Sequence, residues 1–339
     1  MATDLQAPNA IEELAERLMA GERRALARAI TLVESTRPEH QTQAAELFER
    51  IGSHGAVGPK AALRVGLSGT PGVGKSTFIE ALGMQLVNQG LHVAVLAVDP
   101  SSTLSGGSIL GDKTRMELLS RHPHAYIRPS PSRSELGGVA RRTRETIRLV
   151  EAAGFDVVLV ETVGVGQSET MVAEMTDIFT LLLAPAGGDE LQGVKRGIME
   201  IADLIVVNKA DGDLAAIARA TQSDYAGALQ LMRRRDWDPD GYPKVLTASA
   251  LTGAGLSEIW ASIQELADWR KSEGWHQTRR AEQARLWLGR ALERAAVEMV
   301  VTDPTVAATL PTLEQAVDAG ELSPDTAVEQ LLAKFRYQA

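Results

Sequence analysis

A glycine-rich segment at residues 69–76, with the sequence GTPGVGKS, narrows the folds open to this chain more than any other part of the sequence. The segment fits the pattern GxxxxGK[ST] and lies between a short apolar run and a helical pattern at 77–89, which is the context of a phosphate-binding loop. Its glycines allow backbone N–H groups to turn toward phosphate oxygens, and the following helix directs its positive end at the same anion. The segment therefore predicts an α/β fold that binds a nucleotide.

The side chains of this P-loop have distinct expected roles. Lys75 is expected to reach the β- and γ-phosphates of the nucleotide, and Ser76 is expected to ligate Mg²⁺. The predicted nucleotide contacts in the loop are Gly69, Pro71, Gly72, Val73, Gly74, Lys75, Ser76 and Thr77.

Short apolar runs alternate with longer helical stretches from about residue 60 to residue 260. The runs predicted as strands are residues 64–68, 92–98, 156–160, 178–183, 204–207 and 244–247. Apolar strands that alternate with helices are typical of a parallel sheet covered on both faces. We therefore predict an α/β fold of the P-loop NTPase type, with a mostly parallel sheet flanked by helices.

Apolar residues at helical spacing predict further helices on both sides of this region. Residues 11–50 fit two or three helices, and later helices are predicted at 279–301, around 313–319 and at 325–335. The basic stretch at 270–294 is predicted to be a solvated helix face rather than a phosphate or partner patch. The predicted parts are an N-terminal helical extension at 1–60, a nucleotide-binding domain at 61–262 and a C-terminal helical arm at 263–339.

The predicted strand at 204–207 runs into the sequence NKAD, which fits a guanine-binding segment. A carboxylate at Asp211 can accept hydrogen bonds from N1–H and N2–H of guanine, whereas the unprotonated N1 of adenine would leave the acid unpaired. Lys209 is expected to lie along the base, and Asn208 to join this segment to the P-loop. The loop after the last predicted strand resembles one whose backbone N–H meets guanine O6. The predicted base contacts, for GTP or GDP, are Asn208, Lys209, Asp211, Ser249, Ala250 and Leu251.

Acidic residues that follow predicted strands are candidate ligands of Mg²⁺. Glu161 stands where GTP-binding proteins usually have the Asp of a DxxG sequence, and it can hold the ion through a water. Gly164 of the same sequence can offer its N–H to the γ-phosphate and so sense its loss. Asp99 and Asp112 are further candidates, although each could instead be a turn-forming Asp. The predicted metal ligands are Ser76, Asp99, Asp112 and Glu161, and the predicted catalytic set is Lys75, Asp99, Asp112, Glu161 and Gly164.

The residue after Gly164 predicts slow intrinsic hydrolysis. Fast GTP-hydrolysing proteins carry a Gln there that orients the attacking water, but this chain has Val165, and Gln167 comes two residues later. A cation from a partner, from another subunit or from a moved loop would then complete the site. The nearby candidates are Arg115, Lys195 and Arg196, and the sequence does not choose among them.

Composition limits the expected partners and location. A net charge of −9 and a pI of about 5.3 give no positive field for nucleic acid, so we expect no nucleic-acid partner. The longest apolar runs are far shorter than the about 20 residues that cross a bilayer, so we expect no membrane partner. The absence of cysteine excludes disulfides and thiolate metal sites, and the first residues fit neither a signal nor a transit peptide, so we expect a cytoplasmic protein.

Several longer segments together resemble one family, the MeaB/ArgK group of P-loop GTPases, which is related to the human methylmalonic aciduria type A protein. The resemblance extends over about residues 10–330 and is densest from 64 to 255. The segments that carry it are VDPSS (98–102), GGSILGDKTRM (106–116), RPSP (128–131), ETVGVGQSE (161–169) and GDELQGVKRG (188–197).

This resemblance implies a SIMIBI-like G domain in a chaperone of adenosylcobalamin-dependent acyl-CoA mutases, chiefly methylmalonyl-CoA mutase. Such a chaperone gates cofactor loading and protects or reactivates the mutase, and it is a homodimer through a helical arm. The resemblance also implies that Lys75, Ser76, Asp99, Asp112 and Glu161 surround the nucleotide and Mg²⁺. The loop at 186–197 resembles a switch that senses the mutase. The expected switch and partner-sensing residues are Arg115, Gln167, Asp189, Glu190, Gln192, Lys195 and Arg196.

Four other functions remain open from the sequence. Metal-delivery GTPases share the core motifs but depend on Cys/His clusters, and this chain has no Cys and only six His. A transport-system ATPase or kinase, or a metabolite kinase, would not need the NKAD sequence. A GTP-dependent switch with negligible turnover differs from the GTPase only in rate. The client could also be a related mutase acting on isobutyryl-CoA or 2-hydroxyisobutyryl-CoA.

Overall fold

A computed structural model describes residues 9–52, 61–98, 116–129, 136–162, 168–185, 196–232 and 235–336. The chain forms two compact units, Met1–Gln277 and Thr278–Ala339. The N-terminal helices belong to the first unit, and the division into three functional parts remains a prediction. No helix in the described ranges is both long and apolar enough to cross a bilayer.

The first unit is built on a sheet of seven parallel strands in the order β3-β2-β4-β1-β5-β6-β7. The α/β fold predicted from the sequence is confirmed. β1 lies at the centre between β4 and β5, and the strands beside it are buried along their whole length, as their apolar runs predict. The strands are β1 Leu63–Gly69, β2 Val93–Val98, β3 Ala125–Arg128, β4 Val157–Thr162, β5 Ile178–Leu183, β6 Leu204–Val207 and β7 Lys244–Thr247.

The strand missed by the sequence analysis is β3, at one edge of the sheet. It has four residues, Ala-Tyr-Ile-Arg, and only alternate side chains are buried. Such a short edge strand carries no apolar run that distinguishes it from a loop. The other strands occur within one or two residues of their predicted positions.

Helices cover both faces of this sheet. α4 packs its apolar side, including Phe78 and Leu82, into the same buried cluster as Val65 and Leu67 of β1. Trp260 and Ile263 of α10 close that cluster from the side of β6 and β7. The helices that follow β1 in the first unit are α4 Lys75–Asn88, α5 Glu117–Arg121, α6 Leu136–Ala152, α7 Ser168–Ala173, α8 Arg196–Ile201, α9 Ala215–Gln230 and α10 Leu256–Ser272.

The N-terminal extension consists of three amphipathic helices, α1 Ala10–Met19, α2 Arg23–Glu34 and α3 Pro38–Ile51. α2 packs on α6, and its Glu34 forms an ion pair with Arg128 of β3. The guanidinium of Arg148 in α6 lies 4.3 Å from the ring centre of Phe48 in α3. These contacts bind the helices to the β3 side of the sheet.

The second unit is helical. α11 Trp275–Val301 leads into it, followed by α12 Pro304–Asp318 and α13 Pro324–Arg336, which pack on each other. Asp303 caps α12 because its carboxylate accepts hydrogen bonds from the N–H groups of Thr305 and Val306, at 2.9 and 3.1 Å. Helices at these three places agree with the sequence prediction, and α12 begins earlier than expected because Pro304 occupies its first position.

Aspartates that precede the strands satisfy backbone groups at the amino edge of the sheet. The carboxylate of Asp177 accepts from the N–H of Arg64 at 2.9 Å, and that of Asp203 accepts from the N–H of Phe179 at 2.8 Å. Arg64 in turn pairs through both guanidinium ends with Glu151, at 2.6 and 2.7 Å. Buried charges therefore hold neighbouring strands together at the edge opposite the P-loop.

Arg270 of α10 is the centre of this charged layer. Its side chain is 3% exposed, and one terminal nitrogen lies 2.6 Å from Asp203 and 2.5 Å from Asp238. Burial alone would disfavour the charge, but the two carboxylates raise the pKa of Arg270 above its usual value. The prediction of a solvated face for residues 270–294 is wrong at Arg270, because local charge density does not reveal acids elsewhere in the chain, and it is wrong at Arg280, which is 6% exposed.

We expect Arg270→Leu to lower the free energy of unfolding by about 3–5 kcal/mol, because it removes one of the two cations that neutralise the buried carboxylates of Asp203 and Asp238 and leaves only Arg235 beside them. Urea denaturation measures this change. Arg17→Leu is the matched control, since its ion pairs with Glu13 and Glu22 are exposed and should contribute less than about 1 kcal/mol. Equal losses in the two variants would contradict the importance of the buried network.

Candidate functional site

The P-loop lies at the carboxyl edge of the sheet, where β1 ends at Gly69 and α4 begins at Lys75. A Cβ on Gly69 would collide with the carbonyl oxygen of Leu182 in β5. Gly74 has a φ of 91°, and a Cβ there would lie 2.9 Å from the side-chain nitrogen of Asn208. Glycine is required at both positions because neighbouring segments approach the backbone too closely for a side chain.

The ammonium of Lys75 lies at the centre of this loop. It donates to the carbonyl oxygens of Gly69 at 2.6 Å and Thr70 at 3.3 Å. Burial lowers the pKa of Lys75 below its usual value, and the negative charges of Glu161 and Glu169 partly oppose that shift. A phosphate group at the loop would offer this cation the negative charge that the two carbonyl groups lack.

The remaining P-loop residues divide between core and surface. The side chain of Val73 is 1% exposed and belongs to the hydrophobic core, so only its backbone can serve a ligand. Pro71, Gly72 and Thr77 are exposed, and Ser76 is partly exposed in the first turn of α4 beside Lys75. The exposed loop and the Ser76 hydroxyl are therefore open to a ligand from the same side of the sheet.

Asn208 connects the three segments predicted to bind the nucleotide. It directly follows β6, is 1% exposed, and donates through its side-chain nitrogen to the carbonyl of Val73 at 3.0 Å. Its side-chain oxygen accepts from the N–H of Ala250 at 3.1 Å. One amide thus fixes the P-loop, the segment at 208–211 and the loop at 249–251 relative to one another.

Lys209 adds a second connection and determines where Asp211 lies. Its φ of 57° lies in the left-handed region, and its ammonium donates to the carbonyl of Gly72 at 2.7 Å, so the residue before Ala210 and Asp211 is tied to the P-loop. Asp211 precedes a 3-10 turn at Gly212–Leu214 but does not cap it. Within the described ranges the Asp211 carboxylate has no hydrogen bond or ion pair, so it is available to a base.

The loop at 249–251 is anchored by one buried side chain and exposes another to solvent. Ser249 is 1% exposed, and its hydroxyl accepts from the N–H of Thr252 at 3.1 Å. Leu251, by contrast, is 81% exposed although it is apolar. The backbone of this loop is therefore held in place beside Asn208 without being covered by protein.

Glu161 and Ser76 are the predicted metal ligands that the structure describes. Glu161 is 2% exposed and pairs in register with Leu67, two residues before the P-loop. The neighbouring Thr162 hydroxyl donates to Ser68 at 3.0 Å, which joins β4 to β1 at this level. A carboxylate and a hydroxyl are oxygen ligands of the kind that Mg²⁺ prefers. No three His, Cys, Asp or Glu side chains converge as a metal cluster in the described residues.

Many predicted switch residues lie outside the described residues, and their roles remain predictions. Arg196 begins α8, but the description does not include its side chain. The predicted residues outside the description are Asp99, Asp112, Arg115, Gly164, Gln167, Asp189, Glu190, Gln192 and Lys195.

Glu169 is a residue near the site that the sequence analysis did not select. It lies in the first turn of α7, is 5% exposed, and its charge acts on Lys75 together with that of Glu161. An acid in the first turn of a helix is common and usually solvated. Its position at the end of the ETVGVGQSE segment, eight residues after Glu161, is the only signal that the sequence offers.

Comparison with known families identifies the family of this chain. Residues 26–305 match the family described as "Methylmalonyl Co-A mutase-associated GTPase MeaB". This chain belongs to the MeaB family. The resemblance stated from the sequence is confirmed, and the P-loop site is that of a GTPase.

Relatives along the whole chain agree with membership in the MeaB family. A putative GTPase of Caulobacter vibrioides is 53% identical over 325 residues, which are 96% of this chain and 98% of that protein. The mitochondrial methylmalonic aciduria type A homolog of Mus musculus is 47% identical over 334 residues, 96% of this chain and 80% of that protein. A crystal structure of an LAO/AO transport system kinase is 40% identical, with a TM-score of 0.74, and covers 98% of this chain and 100% of its own.

For this MeaB-family chain we expect Asp211→Asn to weaken GTP binding by about 100-fold or more, because two hydrogen bonds to a charged acceptor are lost. The new amide also offers a donor where guanine already has one, whereas xanthine has a carbonyl there, so XTP should bind the variant better than the wild type. Calorimetric titration measures both affinities. Asp213→Asn, at an exposed acid in the adjacent turn, is the control. Unchanged GTP affinity in the Asp211 variant would refute the base assignment.

Proposed function

We propose that this MeaB-family GTPase is a chaperone that gates adenosylcobalamin loading and protects or reactivates an adenosylcobalamin-dependent acyl-CoA mutase. The observation that carries the nucleotide part is the Asn208 amide, which joins the P-loop to both predicted base segments. The family description names a methylmalonyl-CoA mutase association, which supports that mutase as the client. Related mutases acting on isobutyryl-CoA or 2-hydroxyisobutyryl-CoA are the alternative clients.

In this proposal the nucleotide is GTP or GDP with Mg²⁺. Lys75 holds the β- and γ-phosphates, and Asp211 accepts from the guanine N1–H and N2–H. Ser76, Asp99, Asp112 and Glu161 would hold Mg²⁺, which supplies charge neutralisation on the phosphates when bound. The buried carboxylate of Glu161 beside Lys75 supports this assignment, because an anion at that depth needs a cationic partner.

We propose that hydrolysis is slow in the isolated protein and that a mutase accelerates it. Val165 cannot orient water, since it has no hydrogen-bonding side chain. Gly164 would sense the γ-phosphate through its N–H, and the loop at 186–197 would sense the client. A cation brought to the transferred phosphate would stabilise the charge of the transition state, with Arg115, Lys195 or Arg196 as its source.

A second candidate is suggested by the name of the similar crystal structure, a transport system kinase. A kinase needs an acceptor that takes the phosphate, whereas a GTPase transfers it to water. The Asp211 carboxylate, which has no partner among the described residues and suits guanine, favours the GTPase. Metal delivery has less support, because the chain lacks cysteine and the described residues include no metal cluster.

We propose that the chain works as a homodimer through the helical arm, in the cytoplasm. α11 exposes apolar side chains at helical spacing, with Leu288 70%, Leu292 67% and Met299 57% exposed. A stripe of this kind on one face of a long helix is typical of a surface that another helix covers. The absence of cysteine suits a reducing compartment.

We expect single-turnover GTP hydrolysis to accelerate at least about tenfold when a saturating adenosylcobalamin mutase from the same organism is added, as a partner-supplied charge predicts. We expect no hydrolysis of ATP, either with or without the mutase. The assay compares both nucleotides with and without the mutase. An unchanged GTP rate with every candidate mutase would overturn the client assignment but leave the GTPase intact.

For the arm, we expect the double substitution Leu288→Glu and Leu292→Glu to convert a dimer into a monomer, since it buries two charges in an apolar interface. Sedimentation velocity measures the mass of each form. Arg294→Glu, an exposed residue off the apolar stripe, is the control and should leave the dimer intact. GTP affinity should stay unchanged in both variants, because the nucleotide residues lie in the first unit. A monomeric wild type would contradict the homodimer.

A further inference from the structure

Two buried hydroxyl groups lie where β1 and β4 end, and none of the roles above uses them. Ser68 is 1% exposed and Thr162 is 0% exposed. The Thr162 hydroxyl donates to the hydroxyl oxygen of Ser68 at 3.0 Å. Because neither side chain reaches solvent, water does not compete with this bond, and each side chain fixes the position of the other.

This hydroxyl pair extends the connection between the two strands beyond their paired backbones. β1 and β4 pair in parallel register as far as Leu67 and Glu161. Ser68 and Thr162 are the next residues of the two strands, and residues opposite each other on neighbouring strands point to the same face of a sheet. The two hydroxyl groups therefore join the strands one residue closer to the carboxyl edge.

The hydroxyl pair lies between two stretches of chain that have proposed roles at the nucleotide. Ser68 directly precedes Gly69, the first residue of the P-loop, whose carbonyl accepts a hydrogen bond from Lys75 at 2.6 Å. Thr162 precedes Gly164 by two residues, and Gly164 is proposed to sense the γ-phosphate. The bond therefore connects the loop that would hold the phosphates to the stretch that would sense the last of them.

The helix that follows this stretch is fixed against the same strand. A Cβ on Gly66 of β1 would lie only 2.8 Å from the side chain of Val172 in α7, so helix and strand are in close contact. Residues 163–167 thus join two elements that are both held against β1, namely β4 through Thr162 and then α7. A shift of Thr162 would move the point from which the chain leads to Gly164, whereas the P-loop would stay in place.

We propose that Thr162 and Ser68 are positioning residues that set the distance of Gly164 from the γ-phosphate, so that the protein distinguishes GTP from GDP. In the proposed function, the β-phosphate and the base are bound by groups of the P-loop and of the NKAD segment. Loss of the hydroxyl bond therefore acts on the γ-phosphate, which GDP lacks. This inference rests on the proposed role of Gly164.

The test compares the affinities of the full-length protein for GDP and for a non-hydrolysable GTP analogue, both with Mg²⁺. Thr162→Val keeps the shape of the side chain and removes the donor. The variant should bind the analogue about tenfold more weakly and GDP within about twofold of wild type, as expected when one hydrogen bond to a charged phosphate is weakened. Equal losses for the two nucleotides, or no loss for either, would overturn the inference.

Thr143→Val is the matched control for the loss of a buried hydroxyl bond. Thr143 is 5% exposed, and its hydroxyl donates to the carbonyl of Val139 at 2.9 Å within α6. This variant should keep the wild-type affinity for both nucleotides. Thr162→Ser keeps the hydroxyl group and should keep the wild-type ratio of the two affinities. A ratio as low as that of Thr162→Val would contradict the role of the hydroxyl.

A double variant separates positioning from a merely structural role. Ser68→Ala leaves the Thr162 donor buried without its acceptor and should lower the melting temperature, whereas Ser68→Ala combined with Thr162→Val removes both partners and should restore most of the loss. The ratio of the two affinities should stay low in the double variant. Recovery of the ratio together with the melting temperature would overturn the inference. A wild type that binds no guanine nucleotide would instead refute the proposed function.

Discussion

The Asn208 amide is the interaction on which the nucleotide site depends. Its two ends are held by the carbonyl of Val73 and the N–H of Ala250, so a single buried side chain sets the distance between a phosphate loop and a base loop. The approach is so close that position 74 must be glycine. The N–H of Ala210 also donates to the carbonyl of Ala248 at 2.9 Å, so the two predicted base segments are joined through their backbones as well. The segments predicted to recognise the phosphates and the base are therefore parts of one connected arrangement rather than two independent motifs.

The charged residues at the amino edge of the sheet stabilise the fold, whereas those at the carboxyl edge are available to a ligand. At the amino edge, Asp177, Asp203 and Arg270 satisfy backbone groups and one another within buried pairs. At the carboxyl edge, within the described part of the chain, Lys75 donates hydrogen bonds to carbonyl oxygens, and the Asp211 carboxylate has no hydrogen bond or ion pair. Buried charges that are fully paired hold the fold, whereas charges left for a ligand to pair determine what binds. The stability that the ion pairs contribute at the amino edge offsets the cost of leaving charges without an ionic partner at the carboxyl edge.

Sequence reasoning reached the fold because it follows from local patterns, and the predicted nucleotide contacts rest on patterns of the same kind. GTPGVGKS specifies a backbone shape, and the apolar runs specify buried parallel strands. Local patterns fail where the partner of a residue is distant in sequence. The sequence around Arg270 predicts a solvated side chain, whereas the structure places Asp203 and Asp238 beside it. The sequence around Glu169 likewise suggests an ordinary acid at the start of a helix. β3 was missed for a different reason, since four half-buried edge residues carry almost no pattern.

Tight anchoring of the binding residues also explains why hydrolysis in this family member should need a partner. Asn208, Lys209 and Lys75, which are predicted to hold the base and the phosphates, are themselves held in place by hydrogen bonds to the protein's own backbone. None of these groups can position the attacking water, and Val165 has no side-chain donor or acceptor for it. In the proposed function, one chain supplies all the groups that bind the nucleotide, whereas hydrolysis still lacks one positive charge. A client that supplies this charge would couple its own state to the lifetime of GTP, which is what a chaperone that gates cofactor loading requires.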